Sequence, residues 1–598
     1  MALTEPPWTE HRPEPPDGIA GPPGRVVTAG LLASVLLCTL ALRLWSIDHG
    51  LPFVFNPDEE LHFVPVAVDM FQGSFNPGYF ENPPALTYLF HALFRLRFTE
   101  GFPFGAGGFR QAFLADPSAA VLTARVTVAL LGTLVVALVA WAGTRFFERR
   151  VGLVAAALCA FAFLPVFYSK QALNDVVTLA PLTVGLVGCL AAYERGRLGD
   201  WLLAGGALGV AAATKYTAGL MVVTVALAAL LRVLDRRDPI ARAALGLAGA
   251  AVAFTVLFFL LNPFALVDFG EFRSQLGGQS AQGSNQKLGQ DAVPGWLYYG
   301  WTLTWGLGWL PAMAALAGAL IALWTEPRKA ALLLVFPLLF WLFLGAQGRF
   351  FGRWLLPAYP ALCVLAGFAA VWLVDRLVQQ RAGRPAALAM VALALVAQGA
   401  WTSIRVDRVL AREDTRTLAR DWLVRNVPPG TRVVVEPFVP AGYLRAGGQH
   451  DRERYERFRI ERPFQAYEKR LSPGLIDVYR RRGYCWVVVG STQKQRGLKA
   501  GLAGARAYYD RLDRESALTR VWSPYDAGAE PVPFSFDLSF NYQPAAYARP
   551  GPVVEVHRLT GCGAARPGAE ASLPRPSDRS PPLAAVRAVN RSTATERA

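Results

Sequence analysis

The chain has 598 residues, of which 53% are hydrophobic and only 17% charged, and this balance excludes an ordinary soluble protein. The formal net charge is +16, yet no segment interleaves aromatic and basic residues as a nucleic-acid module does, so nucleic acid is not an expected partner. No His or Cys spacing builds a metal cage, so no metal site and no cofactor is expected, and a loosely held divalent metal is left open.

In chain order, residues 1–25 are rich in Pro and Glu and are expected to form a disordered cytoplasmic tail. About eleven apolar runs follow, each read as a membrane-spanning helix. They lie near 26–47, 121–143, 151–168, 176–193, 201–213, 217–234, 241–261, 301–324, 329–346, 354–375 and 385–403. The first is expected to remain as an anchor, since no small-residue cleavage pattern follows it. Loops rich in Arg and Lys, such as those around Arg145–Arg150, Arg195–Arg197, Arg232–Arg242 and Arg376–Arg384, alternate with loops holding only Lys170, Lys215, Arg349 and Arg353. The positive-inside rule then puts the N-terminus in the cytoplasm and the exterior loop 47–120 outside. The expected location is the cell membrane, in multiple passes.

Within that loop, Glu59–Phe71 has near-helical apolar spacing and is expected along the membrane surface. Ala85–Phe98 is expected to be an amphipathic helix and Gly101–Gly108 a turn. Residues 262–300 read as a long, mobile loop centred on GGQSAQGSNQKLGQ.

From 404 to 561 the pattern becomes that of a small exterior α/β domain. Asp414–Asn426 reads as a helix, and Arg432–Glu436, Cys485–Gly490 and Pro552–Leu559 as strands. Cys485 and Cys562 fall where a disulfide is permitted, whereas Cys38, Cys159, Cys189 and Cys363 sit in apolar runs as small core residues. Residues 562–598 are expected to be a second disordered tail. The fold class is thus an α-helical polytopic membrane protein with a C-terminal soluble α/β domain.

The helix interiors hold almost no ionisable residues; these gather at the exterior helix ends instead. Asp58, Glu59, Glu81 and Asp175 are acidic, and His62 follows Asp58 by one turn. Arg125, Lys215, Arg349 and Arg353 are basic. Cations at headgroup depth suit a lipid phosphate, with Arg gripping it through a fork and Lys acting as a point charge. Each charge also has a plainer reading: interfacial anchor, helix cap or turn acid. A transporter, or flippase, is the second class considered, with these groups as gating charges. Ion-coupled transport places carboxylates nearer the bilayer midplane, where this sequence has none. A relative that only binds a lipid carrier is the third.

Five stretches occur in register on this scaffold: Asp58-Glu59, Glu81-Asn-Pro-Pro, Ala172-Leu-Asn-Asp175, Ala213-Thr-Lys215-Tyr216 and Arg353-Trp-Leu-Leu-Pro-Ala-Tyr-Pro360. Together they resemble the membrane-integral glycosyltransferases of the protein O-mannosyltransferase and aminoarabinose transferase superfamily, over residues 26–403. The resemblance implies a C-type glycosyltransferase fold. It implies inverting transfer of a sugar from a polyprenyl-phosphate donor to an exterior acceptor, whether protein, lipid or polysaccharide. It implies Asp58 as general base, with Glu59 beside it and Glu81 helping to position base or acceptor. Asp175 is implied as a supporting acid, while His62, read from its position one turn after Asp58, is a structural group or one that orients the acid. Arg125 matches a family arginine on the donor phosphate, and Lys215, Arg349 and Arg353 are phosphate candidates by location. Asn82 departs from the His or Tyr common before the Pro-Pro motif, which leaves the acceptor open.

Overall fold

The computed structural model describes residues 22–98, 106–444, 456–457 and 467–562. Of the expected tails 1–25 and 562–598, residues 1–21 and 563–598 lie outside the described residues, as does most of the turn Gly101–Gly108, whereas Pro22 already begins the first helix, Pro22–Leu44, and Cys562 is disulfide-bonded rather than part of a tail. Among those described, nine helices are long and apolar enough to cross a membrane. All eleven sequence-derived runs are helical, but two are not full-length spans. Leu198–Thr214 is a shorter apolar helix. The run 151–168 is broken into Arg149–Phe161 and Phe163–Tyr168. Pro165 has no N–H to donate to the Phe161 carbonyl, so the ladder cannot pass through that point.

Packing on one helix of this bundle inverts the soluble pattern. On Ile240–Leu260 the buried residues are small, Ala243, Gly246 and Ala250, while Leu245, Val252, Val256 and Leu260 face outward. The close approach is backbone against backbone: a Cβ at Gly205 would collide with the Ala250 carbonyl oxygen, and one at Gly318 with that of Leu365. Small residues at such seams let helices approach where large apolar side chains gain nothing over lipid.

The exterior loop departs from its expected course. Residues 57–69 do not form one amphipathic helix with an outward apolar side. They form two short helices, Pro57–Leu61 and Val64–Asp69, and Val64–Val68 is buried against protein. The apolar residues that suggested a lipid-facing helix instead pack within the main core. Ala85–Phe98 is helical as expected.

Residues 262–300 are also more ordered in backbone than composition suggests. Phe269–Ser284 is a helix that buries none of its side chains. It is tied down at its flanks. Gln275 Oε1 accepts from Phe80 N at 2.5 Å, and the carbonyl of Gly283 accepts from both Gly348 N and Arg349 N at 3.0 Å.

Beyond the last long helix, Arg384–Leu410, the chain forms a five-stranded sheet. Its strands are β1 (Arg432–Val435), β2 (Glu456–Arg457), β3 (Trp486–Gly490), β4 (Ser516–Trp522) and β5 (Val554–Leu559). Their order is β2-β1-β3-β5-β4. β1 pairs in parallel with β2 and β3, and β5 is antiparallel to β3 and β4. The sequence reading found β1, β3 and β5. It missed β2, which is only two residues long, and β4, whose side chains are mostly exposed and carry no alternation. Cys485 and Cys562 form a disulfide.

This domain is not held apart from the membrane part. Phe53 and Phe55 of the first exterior loop pack on its core, with Arg420 4.9 Å over the Phe53 ring and Arg416 3.8 Å over that of Phe55. From the other side, Tyr542 enters the helical bundle among Phe163, Phe167 and Trp305.

Candidate active site

The site begins with a helix cap. Asn56 accepts hydrogen bonds from Asp58 N at 3.0 Å and Glu59 N at 3.4 Å, and Pro57 starts the turn with a preset φ. Consecutive residues on a helical turn point about 100° apart. The cap therefore sends the two adjacent acids in different directions.

Glu59 points inward. Its carboxylate meets Arg125 in a two-pronged pair, with both N–H···O distances 2.7 Å, and also accepts from Ala172 N at 2.9 Å. The remaining donor group of Arg125, Nη1, reaches the carbonyls of Ile47 and His49 at 2.9 and 2.8 Å. Both side chains are buried. Arg125 thus spends its fork on Glu59 and on loop backbone.

Asp58 points outward, with its side chain 39% exposed. It accepts a hydrogen bond from Arg353 Nη2, and His62 Nε2 stands 4.0 Å from its other oxygen. Burial raises its carboxyl, but Arg353, His62 and Lys287 together outweigh that and hold it at about 2. His62 is fixed by stacking on Tyr79, centroids 4.9 Å apart, and the Tyr79 hydroxyl accepts from Asn82 Nδ2 at 2.7 Å. The Asn-Pro-Pro turn is connected to the acid in this way.

Arg353 lies between two carboxylates. Its Nε is 3.7 Å from Asp175 Oδ2, and Asp175 also takes Lys215 Nζ at 2.5 Å. The turns carrying Asp175 and Lys215 are tied by Asn174 Nδ2 donating to the Thr214 carbonyl at 2.6 Å. Tyr216 OH donates to the Phe80 carbonyl at 3.1 Å, beside Glu81. Glu81 is half-buried. Burial raises its carboxyl above the ordinary value, Arg349 draws it down and Asp58 pushes it further up. Arg349 Nε is buried with no hydrogen-bond partner among the described residues, while Glu81 and Asp58 both act on its charge.

All nine sequence-derived residues thus fall at one end of the bundle. Asp58, Asp175, Lys215 and Arg353 form one connected cluster, His62, Glu81 and Arg349 border it, and Glu59 with Arg125 lies beneath. Among the described residues no group of three or more His, Cys, Asp or Glu is arranged to hold a metal ion.

Sequence reasoning missed Lys287. It approaches on the turn after Phe269–Ser284, held where Gln290 Nε2 donates to the Phe350 carbonyl at 2.7 Å. It also missed Tyr168, whose hydroxyl lies 2.8 Å from that of Tyr542 and whose ring lies 5.8 Å from the Arg353 guanidinium. The Asn56 cap was legible: Asn-Pro before acidic residues is a helix-start pattern.

A polytopic bundle with charged groups gathered at one end has counterparts among known proteins. Residues 118–261 match the family model for dolichyl-phosphate-mannose-protein mannosyltransferase. No curated protein matches the chain in sequence. Among solved structures, ArnT from Cupriavidus metallidurans bound to undecaprenyl phosphate is similar at 15% identity and TM-score 0.51, covering 92% of this chain and 100% of that one. The Archaeoglobus fulgidus oligosaccharyltransferase in complex with Zn and sulfate matches at 14% identity and TM-score 0.49, covering 83% and 72%. The S. cerevisiae protein O-mannosyltransferase complex bound to the sugar donor matches at 20% identity and TM-score 0.32, covering 41% and 34%. At these identities the likeness to ArnT is one of fold. The resemblance read from the five motifs holds: by family model over 118–261, and by fold over most of the chain, this protein is similar to the protein O-mannosyltransferase and ArnT superfamily.

Proposed function

We propose that the protein transfers a sugar from a polyprenyl-phosphate donor to an acceptor hydroxyl on the exterior face of the membrane, with inversion and with Asp58 as general base. The observation that carries this reading is the Asp58–Arg353–Asp175–Lys215 cluster, an accessible carboxylate beside cations at the exterior ends of apolar helices. The undecaprenyl phosphate bound to ArnT supports the class of carrier.

The acceptor oxygen attacks the anomeric carbon from the face opposite the phosphate. The C–O bond to phosphate breaks, its electron pair leaves with the polyprenyl phosphate, and the acceptor proton passes to Asp58. Arg353 and Arg349 stabilise the charge that grows on the leaving oxygens. A phosphate leaving group needs no strong acid, so the second essential carboxylate of a glycosidase is not required. A phosphate that engages Arg353 draws its charge away from Asp58 and lets that carboxyl rise from about 2, so donor binding makes the base stronger. In this reading Arg125 and Glu59 act as a structural pair under the base, and Arg125 does not grip the donor. The N-terminus is cytoplasmic, the domain after residue 404 is exterior, and the acceptor is a protein, lipid or polysaccharide.

The test is transfer of labelled sugar from a panel of polyprenyl-phosphate sugars in proteoliposomes. Asp58→Asn is expected to lower transfer by roughly 10²–10⁴-fold while donor binding persists. Equal transfer by both proteins removes Asp58 from the mechanism. Carrier binding without transfer from any donor points to a binding or transport protein instead.

A further inference from the structure

Lys287 stands among aromatic rings from two parts of the protein. Its Nζ lies 4.7 Å from the ring centroid of Phe351, in the turn that carries Arg353, and 5.4 Å from that of Phe536, in the exterior domain. The two rings touch edge to face, centroids 6.1 Å apart. The guanidinium of Arg353 lies 4.8 Å from the same Phe351 ring. One aromatic ring is therefore shared by two cations and keeps them adjacent. Such contacts hold an ammonium without neutralising it or using up its hydrogen-bond donors.

Phe536 is buried and is placed by the docking of its own domain. Arg496 Nε donates to the Leu288 carbonyl at 2.9 Å, and Gly289 is so close that a Cβ there would meet Arg496 Cγ at 2.7 Å. Lys499 pairs with Asp291 at 2.6 Å. A cavity of about 280 Å³ opens beside this contact, lined by Gln290, Leu297, Trp301, Phe536 and Asp537 among others.

We propose that Lys287 is a further donor-phosphate-binding residue and that the exterior domain completes the phosphate site by holding it in place through Phe536. This rests on the polyprenyl-phosphate reading above. Lys287 then grips the phosphate as a point charge beside Arg349 and Arg353, and Phe536 is a positioning residue. The charged groups that face Lys287 are Asp58, Arg349, Arg353 and Arg496, together with Asp537 of the exterior domain. Burial pulls its ammonium down to about 7, so its charge titrates near neutral pH.

The experiment uses the full-length protein in nanodiscs, with undecaprenyl phosphate as the probe and affinity measured from pH 6 to 9. Thermal melting checks the fold of each variant. Wild type is expected to lose affinity as Lys287 deprotonates. Lys287→Gln is expected to weaken binding about tenfold at pH 6.5, a normal loss for one charge-assisted contact, and to flatten the profile. Phe536→Leu keeps the apolar bulk but removes the ring that stabilises the ammonium, so the fall in affinity moves to lower pH. A purely structural role for Phe536 weakens binding equally at every pH and overturns its part in the proposal. Wild-type affinity and profile in Lys287→Gln overturn the whole. Absence of binding by wild type removes the functional reading itself, and this inference with it.

Discussion

Arg353 donates a hydrogen bond to Asp58 across 295 residues of sequence. The contact joins the loop after the first long helix to the turn before the helix Tyr359–Leu377. It sets the protonation of the proposed base. Burial raises the Asp58 carboxyl, and Arg353 is the largest of three charges, with His62 and Lys287, that hold it at about 2.

The first prediction follows from that sign. In Arg353→Gln the largest lowering influence is gone, and the Asp58 carboxyl is expected to rise. Residual transfer is then expected to show an acid limb displaced to higher pH, together with a rate loss from the missing phosphate contact. A pH–rate profile on the variant in nanodiscs checks this, and an unmoved acid limb contradicts it.

The neighbouring acid is predicted to behave differently. Removing one member of a buried ion pair strands the other, at a cost of about 3–5 kcal/mol. Glu59→Gln and Arg125→Gln are therefore expected to lower the melting temperature sharply, with loss of folded protein in detergent. Asp58→Asn is expected to melt near wild type. Fluorescence-detected thermal melting of the three variants separates the two outcomes.

The exterior domain carries its own titration. Glu436 is fully buried, with Oε1 accepting from Tyr467 at 2.8 Å and Tyr509 at 2.7 Å, and Oε2 from Gly490 N at 3.0 Å. Burial pushes its carboxyl up to about 7, against the pull of those donors. Between the ordinary value of 4.5 and about 7 the folded state holds the proton and the unfolded state does not. Stability from this group is thus full at low pH and falls as pH rises through that window. The melting temperature is expected to decline from pH 5 to 7, and Glu436→Gln to flatten the decline.

The disulfide Cys485–Cys562 closes a 77-residue separation and clamps the start of β3 to the end of β5. Reduction, or Cys485→Ser, is expected to cost about 2–4 kcal/mol. Thermal melting with and without reductant measures it, with transfer assayed below the melting point to show that the site itself is unaffected.

Much of this was legible in the sequence because two patterns were strong. Long apolar runs name helices by composition alone, and charges confined to helix ends name the working face. The five motifs are legible in hindsight as one network: Glu59 bonds Ala172, Asn174 bonds Thr214, Asp175 meets Lys215 and Arg353, and Tyr216 bonds the residue before Glu81. Three things were not legible. The roles of Asp58 and Glu59 divide by which way each carboxylate points, and a run of three acids does not show this. Lys287 sits in a Gly-, Ser- and Gln-rich stretch whose composition reads as loop, and only tertiary pairing with residues 348–350 brings it in. Tyr542 and Phe536 reach the site through the docking of a domain whose own sequence says nothing of where it sits.

The Asn56 cap makes the order of two acids matter as much as their presence. An aspartate at position 59 is one methylene shorter than the glutamate that spans to Arg125 and Ala172, and a glutamate at position 58 carries its carboxylate further out past Arg353. Swapping the two acids, Asp58→Glu together with Glu59→Asp, preserves charge and composition yet leaves neither contact intact. On the proposed function the two neighbouring positions are expected to fail differently: loss of the acid at 59 lowers the yield of folded protein, and loss of the acid at 58 lowers transfer in a protein that still folds.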